Sequence, residues 1–435
     1  MTAKVDGTIA DMTAAGAFGP DSRLVSFELE GLHTELDQFA SLVLYGTATV
    51  DDRDGRRHSR RLVFKFKHLE PEVRAFIRSD NQFHNEILFY ERIAPFLLAK
   101  GSKRNGGGTA GPTLCRYFYG RNNCDEDAHL DVIVLENETV RGYRTAVTGH
   151  RLSLDFDHLI VALRTLAKFH GLSYRAKHED LAKFKEVIAD VKDTQWTESG
   201  EWTFQPSILQ GLFSVAIDRL KERHVERGGC RDDEVEWISR FRSDLLADAM
   251  QSLRRVTTAV EPTAVLCHGD FNRNNLLFRY DDGGRPVDAL AYDMATARYG
   301  SPALDLSFFL YMNTDQRIRD DHWDALLDEY CATLAAEAGA DVPVPHRDQL
   351  DSEIREYGFY GLVHVSYFAR VMLEETVQVD SEEYYGADEF KLLSLFLSSG
   401  GDRATDWVAD VLQHFIRCKY AGTSAANKKG ICRSK

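Results

Sequence analysis

Ten residues constrain this chain more than any others: Leu266-Cys267-His268-Gly269-Asp270-Phe271-Asn272-Arg273-Asn274-Asn275. An apolar run, Ala264 to Cys267, leads in, and Leu276 to Phe278 leads out. The turn Asp281-Asp282-Gly283-Gly284 then reverses the chain into Val287 to Tyr292. The pattern is strand, polar loop, and a hairpin. Polar groups gathered between buried strands must be bonded or must bind something. Asp and Asn as plain turn formers are the simpler explanation. Yet the four-position match HGDxxxxN arises by chance in only on the order of 0.1–1% of chains this long. Asp293, at the end of the return strand, lowers that further.

Phosphoryl transfer gives each of these residues a task. Asp270 accepts the proton of a substrate hydroxyl or orients it, and Asn275 offers an amide oxygen to magnesium. His268 and Gly269 shape the loop. A hairpin would return Asp293 beside Asn275 as the carboxylate ligand. Two protein oxygens, with ATP phosphates and water completing the shell, suit Mg2+.

Such a site needs a cation for the phosphates. In Leu62-Val63-Phe64-Lys65-Phe66-Lys67, Lys65 lies on a strand buried enough to require a partner. Glu86, flanked by apolar residues in Phe83-His84-Asn85-Glu86-Ile87-Leu88, is that partner in a phosphate-positioning Lys–Glu pair. Lys67 faces the same side, so the choice between Lys65 and Lys67 stays open, with Lys65 preferred. Gly106 to Gly111 spells GxGxxG, but it follows a Lys/Arg/Asn loop and precedes Pro112, so the dinucleotide-fold context fails. No GxxxxGK[ST] occurs either.

The surrounding pattern changes along the chain. Residues 1–20 are rich in small residues and read as a disordered N-terminus. Residues 21–136 read as a sheet-rich nucleotide-binding lobe with strands near 42–50, 62–67, 114–119 and 132–135 and one long helix over Gln82 to Leu98. Residues 137–420 read as a helical lobe carrying the hairpin, with helices over 157–174, 207–223, 233–253, 323–338 and 407–420, and residues 421–435 as a flexible tail. The fold class expected is α+β.

Composition narrows the partners. The 435 residues hold 53 Lys plus Arg against 68 Asp plus Glu, a formal net charge of −15. That balance argues against nucleic-acid binding, which rests on Lys and Arg. The 7 cysteines are scattered without metal-ligand spacing and point to reduced thiols and a cytoplasmic location. Residues 1–20 lack the apolar core of a secretory signal, no run is long enough to span a membrane, and Arg433 spoils a C-terminal prenylation box.

Taken together, the motif, the following Asp and the N-terminal Lys/Glu pair resemble the aminoglycoside phosphotransferase and choline kinase superfamily, and within it the ecdysteroid kinase-like (CHK kinase-like) family. Asp37-Gln38-Phe39-Ala40-Ser41 is similar to that family's nucleotide loop. Val134-Leu135-Glu136-Asn137 with Gly142-Tyr143-Arg144 resembles its interlobe hinge, Leu166 to His170 its first long helix, and Arg298 to Leu306 the segment after the metal-binding Asp. The resemblance implies a protein-kinase-like bilobed fold, ATP and Mg2+ as cofactors, and transfer of the γ-phosphoryl group to a small-molecule alcohol. Carried over, Asp270 is the catalytic base and Asn275 and Asp293 are metal ligands. Lys65 holds phosphates, Glu86 orients Lys65, and Ser41 caps the phosphates. Glu136 and Asn137 sit at the adenine edge, and Asp305 braces the catalytic loop. The chain departs from the family at Leu36, Asn272 and Met294, where Gly, Trp and Phe or Trp are common.

Three readings compete: a small-molecule kinase, a pseudokinase-like binding module, and a protein kinase. Retention of every expected polar group favours the first. The acceptor is an ecdysteroid or other sterol or xenobiotic alcohol, with choline, ethanolamine or aminoglycosides as the alternative. Trp196, Trp202, Phe204, Phe359, Tyr360, Tyr367, Tyr384 and Tyr385 are candidates to line an apolar pocket, with core the safer assignment. Glu375, Glu382 and Glu383 would permit an acidic aromatic cage for a choline-type cation. The oligomeric state is not encoded in any readable way.

Overall fold

One alternating strand decides how the first lobe is built. In the computed structural model, which describes residues 2–30, 41–101, 112–123, 130–226, 232–374, 384, 387–418 and 420, that lobe runs α1 (Thr2–Ala14), β1 (Arg23–Glu30), β2 (Ser41–Asp51), β3 (Arg57–Lys67), α2 (Pro71–Ile77), α3 (Ser79–Leu88), α4 (Ala94–Gly101), β4 (Thr113–Leu114), β5 (Tyr117–Arg121) and β6 (Val132–Glu136). β1, β2, β3, β6 and β5 form an antiparallel sheet in that order. Successive side chains of a strand face opposite ways. Leu62, Phe64 and Phe66 of β3 therefore share one buried face with Leu44, Ala48 and Val50, while Lys65 and Lys67 point to the other.

That apolar outer face explains a correction. The N-terminus, expected to be disordered, forms helix α1, and Val5, Ile9 and Met12 bury themselves on Leu62, Phe64 and Phe66. Their spacing of four and three residues is an amphipathic stripe. Its small-residue surroundings masked it. The tail 421–435 and the glycine-rich run 106–111 lie outside the described residues, as do Asp37 to Ala40.

The expected helix over Gln82 to Leu98 is present as α3 and α4 joined by a π-helical turn, Phe89–Ile93. Such a turn inserts one extra residue and rotates the helix beyond it. Glu86 thus faces the sheet while Phe89, Tyr90 and Ile93 pack into the second core cluster.

The second lobe runs α5 (Phe156–Glu179), α6 (Leu181–Ile188), α7 (Pro206–Glu226), α8 (Asp232–Arg240), α9 (Ala249–Thr257), β7 (Val265–Cys267), β8 (Leu276–Tyr280), β9 (Pro286–Ala291), β10 (Arg298–Gly300), α10 (Ala303–Asn313), α11 (Gln316–Ala338), α12 (Arg347–Tyr357) and α13 (Phe359–Met372), then helices Glu389–Ser398 and Gly401–Arg417. α5 starts where the Asp155 carboxylate accepts the His158 N–H, and packs along α11 and the hairpin strand β9. The architecture is the expected α+β one, an antiparallel-sheet lobe followed by a mostly helical lobe. The hairpin β8–β9 is antiparallel, and β4 of the first lobe adds to it in parallel, Thr113 beside Leu290 and Leu114 beside Ala291. None of the described helices is long and apolar enough to cross a membrane.

Candidate active site

The loop between β7 and β8 is held from below. Its brace is the buried carboxylate of Asp305, in the first turn of α10. Asp305 Oδ2 accepts the His268 N–H at 2.7 Å and Oδ1 accepts the Gly269 N–H at 2.8 Å. His170 of α5 lies 3.1 Å from Oδ2 through Nε2, and its Nδ1 lies 2.7 Å from the Tyr330 hydroxyl. Burial works to raise the Asp305 carboxyl, but the His170 contact and the backbone donors outweigh it and hold it below the usual carboxylate range. Asp305 thus does the bracing expected of it. Gly269 has φ +85°, and a Cβ there would stand 2.0 Å from the Thr296 carbonyl oxygen. Only glycine fits both conditions.

On this base Asp270 is aimed by two amides. Asn272 Nδ2 donates to its Oδ1 at 2.7 Å, and Asn275 Nδ2 donates to its Oδ2 at 2.8 Å. Burial and the negative charge of Asp293 push the Asp270 carboxyl up to about 7, against the pull of the Asn275 and Asn272 hydrogen bonds. The role of Asn272 was not legible from sequence, where it stood out only as a departure from Trp.

The hairpin closes as expected. Tyr292 N donates to the Asn275 carbonyl at 3.1 Å, and Leu276 pairs with Ala291, so Asp293 emerges beside the loop. Asp293 adopts a left-handed backbone, φ 64° and ψ 64°, an uncommon conformation for a non-glycine residue and one that clusters at functional sites.

Above the loop stands Lys65. Its Nζ donates to Glu86 Oε2 at 2.8 Å and to Asp293 Oδ1 at 2.6 Å. Burial would discharge it, but the charges of Asp293 and Glu86 more than compensate and raise the ammonium above its ordinary value. The Asp293 carboxyl, which burial would raise, is kept low by the same ammonium. Glu86 is shifted upward by burial despite Lys65, and its second oxygen, Oε1, is buried with no hydrogen-bond partner among the described residues. Lys67 is spent elsewhere, on the buried Asp131 at 2.8 Å and on Asp80. Lys65, not Lys67, is thus the lysine that meets Glu86 and Asp293.

Three other expected residues lie in or next to the sheet of the first lobe. Ser41 begins β2, opposite Lys67 in register. Glu136 ends β6. Asn137 follows, its side chain capping a 3-10 turn, Glu138–Arg141, by accepting the Thr139 N–H. The Glu136 N–H goes to Arg116 O and the Asn137 N–H to Arg61 O, both at 2.8 Å, so neither donor is free for an adenine. The aromatic candidates Trp202, Phe204, Phe359, Tyr360 and Tyr367 are buried core, and Trp196 and Tyr384 are partly buried against it. Tyr385, Glu375, Glu382 and Glu383 lie outside the described residues.

A divalent cation fits what is present. Asn275 spends its N–H groups on the carbonyl and Oδ2 of Asp270, leaving its Oδ1 as an acceptor with no hydrogen bond among the described residues. With the Asp293 carboxylate it makes a donor set of hard oxygens, which suits Mg2+ or a similar ion.

The ecdysteroid kinase-like family model matches residues 35–340. No curated protein matches the chain. Among solved structures, it is similar to amicoumacin kinase hAmiN in complex with AMP-PNP, Ca2+ and Ami, at 14% identity and TM-score 0.40 over 92% of this chain and 96% of that one. It is also similar to choline kinase from Cryptosporidium parvum Iowa II, at 10% identity and TM-score 0.36 over 90% of this chain and 89% of that one.

Proposed function

Since the chain belongs to the ecdysteroid kinase-like family, we propose that it is a kinase that transfers the γ-phosphoryl group of ATP to a hydroxyl of a small organic alcohol. One observation carries this reading. A carboxylate held by two amides, Asp270, sits on the loop that leads into the hairpin, Asp293 lies at the hairpin's far end, and Asp293 is joined to the Lys65–Glu86 pair of the other lobe.

Each side chain then has a defined task. Asp270, pushed up to about 7, is basic enough to accept a hydroxyl proton near neutral pH. Asn272 and Asn275 keep both of its oxygens fixed, so the hydroxyl meets a preset direction. Lys65 stays charged and offers its ammonium to the phosphates, with Glu86 setting where it stands. Asn275 Oδ1 and Asp293 would hold Mg2+, and the bound ion neutralises charge on the phosphoryl oxygens. Ser41, Glu136 and Asn137 border the nucleotide. With the Glu136 and Asn137 N–H groups engaged and the Asn137 carbonyl accepting the Val140 N–H at 3.2 Å, the Glu136 carbonyl is the group we assign to an adenine amino group.

The acceptor we favour is a neutral sterol or xenobiotic alcohol of the ecdysteroid type. Family membership supports it, and so does the neutral character of Met372, whose sulfur accepts from Asn274 Nδ2 beside the loop at 3.4 Å. The test is a panel of sterols, phenols, cholines and aminoglycosides with labelled ATP and Mg2+, run on the wild type and on Asp270→Asn. Labelled product from a sterol or other neutral alcohol, lost in the variant, is the expected result. Product from cholines alone would overturn the acceptor, and no product from any class would overturn the kinase reading.

A further inference from the structure

Glu86 is not the only residue of α3 that reaches the metal-side loop. Its neighbour Asn85 is buried, 1% exposed, and every polar atom of its side chain is used. Nδ2 donates to Ala295 O at 3.0 Å and to Lys192 O at 2.8 Å, and Oδ1 accepts the Lys192 N–H at 2.8 Å. Two donors and one acceptor meet two carbonyls and one N–H, a match no other side chain of this size provides.

Ala295 is the important partner. It lies in the 3-10 turn Met294–Thr296 that starts directly after Asp293, so its backbone fixes where that residue stands. Asn85 grips the carbonyl of Ala295. Asp293 stands in a left-handed conformation that its surroundings must enforce. The segment around Lys192 is itself anchored on both lobes. Asn81 Nδ2 donates to Asp193 O at 3.0 Å, and His84 lies 2.8 Å from Asp190 O. On the other side Arg298 donates to Asp193 Oδ2 at 2.9 Å and to Gln195 Oε1 at 2.8 Å. Gln195 bonds the Tyr360 hydroxyl at 3.1 Å, and that hydroxyl donates to Gly269 O at 3.4 Å. α3, the strap 190–196 and the two loops of the site are one hydrogen-bonded unit, with Asn85 at its centre.

We propose that Asn85 is a positioning residue that sets the Asp293 carboxylate for cation binding, by holding Ala295 and the 190–196 strap against α3. The proposal rests on the reading of Asp293 as a cation ligand. Groups one layer behind a metal ligand typically govern affinity by tenfold to a hundredfold.

The test measures Mn2+ binding to the full-length protein with a non-hydrolysable ATP analogue, by electron paramagnetic resonance of free Mn2+. Asn85→Leu removes all three bonds without adding charge. Asn85→Asp keeps the size and the Lys192 acceptor but cannot donate to Ala295, and it is the second variant should the first not fold. A charge added there would by itself tighten cation binding, so weaker binding reports geometry. Both variants should bind Mn2+ at least about tenfold more weakly, with nucleotide affinity in EDTA unchanged. Leu220→Ala, a buried position of α7 away from the site, supplies a comparable melting loss and should leave Mn2+ affinity as in the wild type. Wild-type Mn2+ affinity in both Asn85 variants, or an equal loss in Leu220→Ala, would overturn the inference alone. A wild type that binds no Mn2+ with nucleotide would overturn the reading of Asp293, and the inference with it.

Discussion

Replacing Asp305 by Asn should unseat the catalytic loop, and the structure sets the size of the effect. The buried carboxylate accepts from two consecutive backbone N–H groups, at 2.7 and 2.8 Å, and lies 3.1 Å from His170. An amide has one oxygen, so it can satisfy either His268 N or Gly269 N and must turn its NH2 towards the other. Losing a charge-assisted bond costs about 1.5–3 kcal/mol, and stranding a buried N–H costs about 1–3 kcal/mol. Together these give about 2.5–6 kcal/mol, a large share of the ~5–15 kcal/mol that separates a native protein from its unfolded state. Urea unfolding followed by circular dichroism reads the stability, and hydrogen exchange at the His268 and Gly269 amides reads the loop. Turnover should fall in parallel, because Asp270 is one residue from the loosened amides. The pH dependence supplies a check on sign. The folded Asp305 carboxyl is held below its unfolded value, so its contribution is present above the unfolded value and lost as pH falls through the folded one. The gap between wild type and variant should be constant above about pH 4 and shrink in more acid solution. A stability difference within about 0.5 kcal/mol at neutral pH would refute the reasoning.

The same contacts set other expected outcomes. Asp270→Asn should cut kcat by about 10²–10⁴ with little change in the KM for ATP, and a smaller loss would remove Asp270 from the proton's path. Because burial raises the Asp270 carboxyl to about 7, the active, ionised form accumulates as pH rises, so kcat/KM should climb through about pH 7 and then level off. A flat profile from about pH 5.5 to 8.5 would contradict the assignment. Lys65→Met and Lys67→Met should separate cleanly. The first raises the KM for ATP and lowers kcat. The second takes from the buried Asp131 its nearest cation, leaving the Asn123 N–H at 2.9 Å and Arg121 at 3.9 Å, at a cost of at most about 3–5 kcal/mol with nucleotide binding intact, as thermal melts and nucleotide titrations would read. Ile9→Ala, under the outer face of the sheet, should cost about 2–5 kcal/mol in urea unfolding without altering turnover per folded molecule.

What the sequence made legible is what a short stretch encodes by itself. The HGDxxxxN loop, the return of Asp293 on a hairpin and the alternation of β3 are each set by residues close together in the chain, so the geometry of each is local. Helix α10 was unreadable for a physical reason. Every residue from Ala303 to Asn313 is buried, and a helix apolar on all sides shows no 3.6-residue period. Helix α13 escaped similarly, with twelve of its residues buried. The strap 190–196 has no period at all. Asn85 was invisible because its partners are backbone atoms of residues 192 and 295, and a lone Asn in a helix gives no hint of what carbonyls will meet it. The stripe Val5, Ile9, Met12 was present in the sequence but outvoted by the small residues between.

The two-residue strand β4 has a mechanical consequence. It pairs with β9 at Leu290 and Ala291, stitching the first lobe to the hairpin two residues before Asp293. A seam of backbone bonds extends little, so a rotation of the lobes about it would leave its neighbours nearly in place. Points near a pivot travel least. Two strand residues span about 7 Å, so a lobe opening of roughly 10° displaces Asp293 by only about 1 Å, while groups farther along the cleft sweep through several times that arc. The carboxylate assigned to the cation therefore stands two residues from the stitch between the lobes.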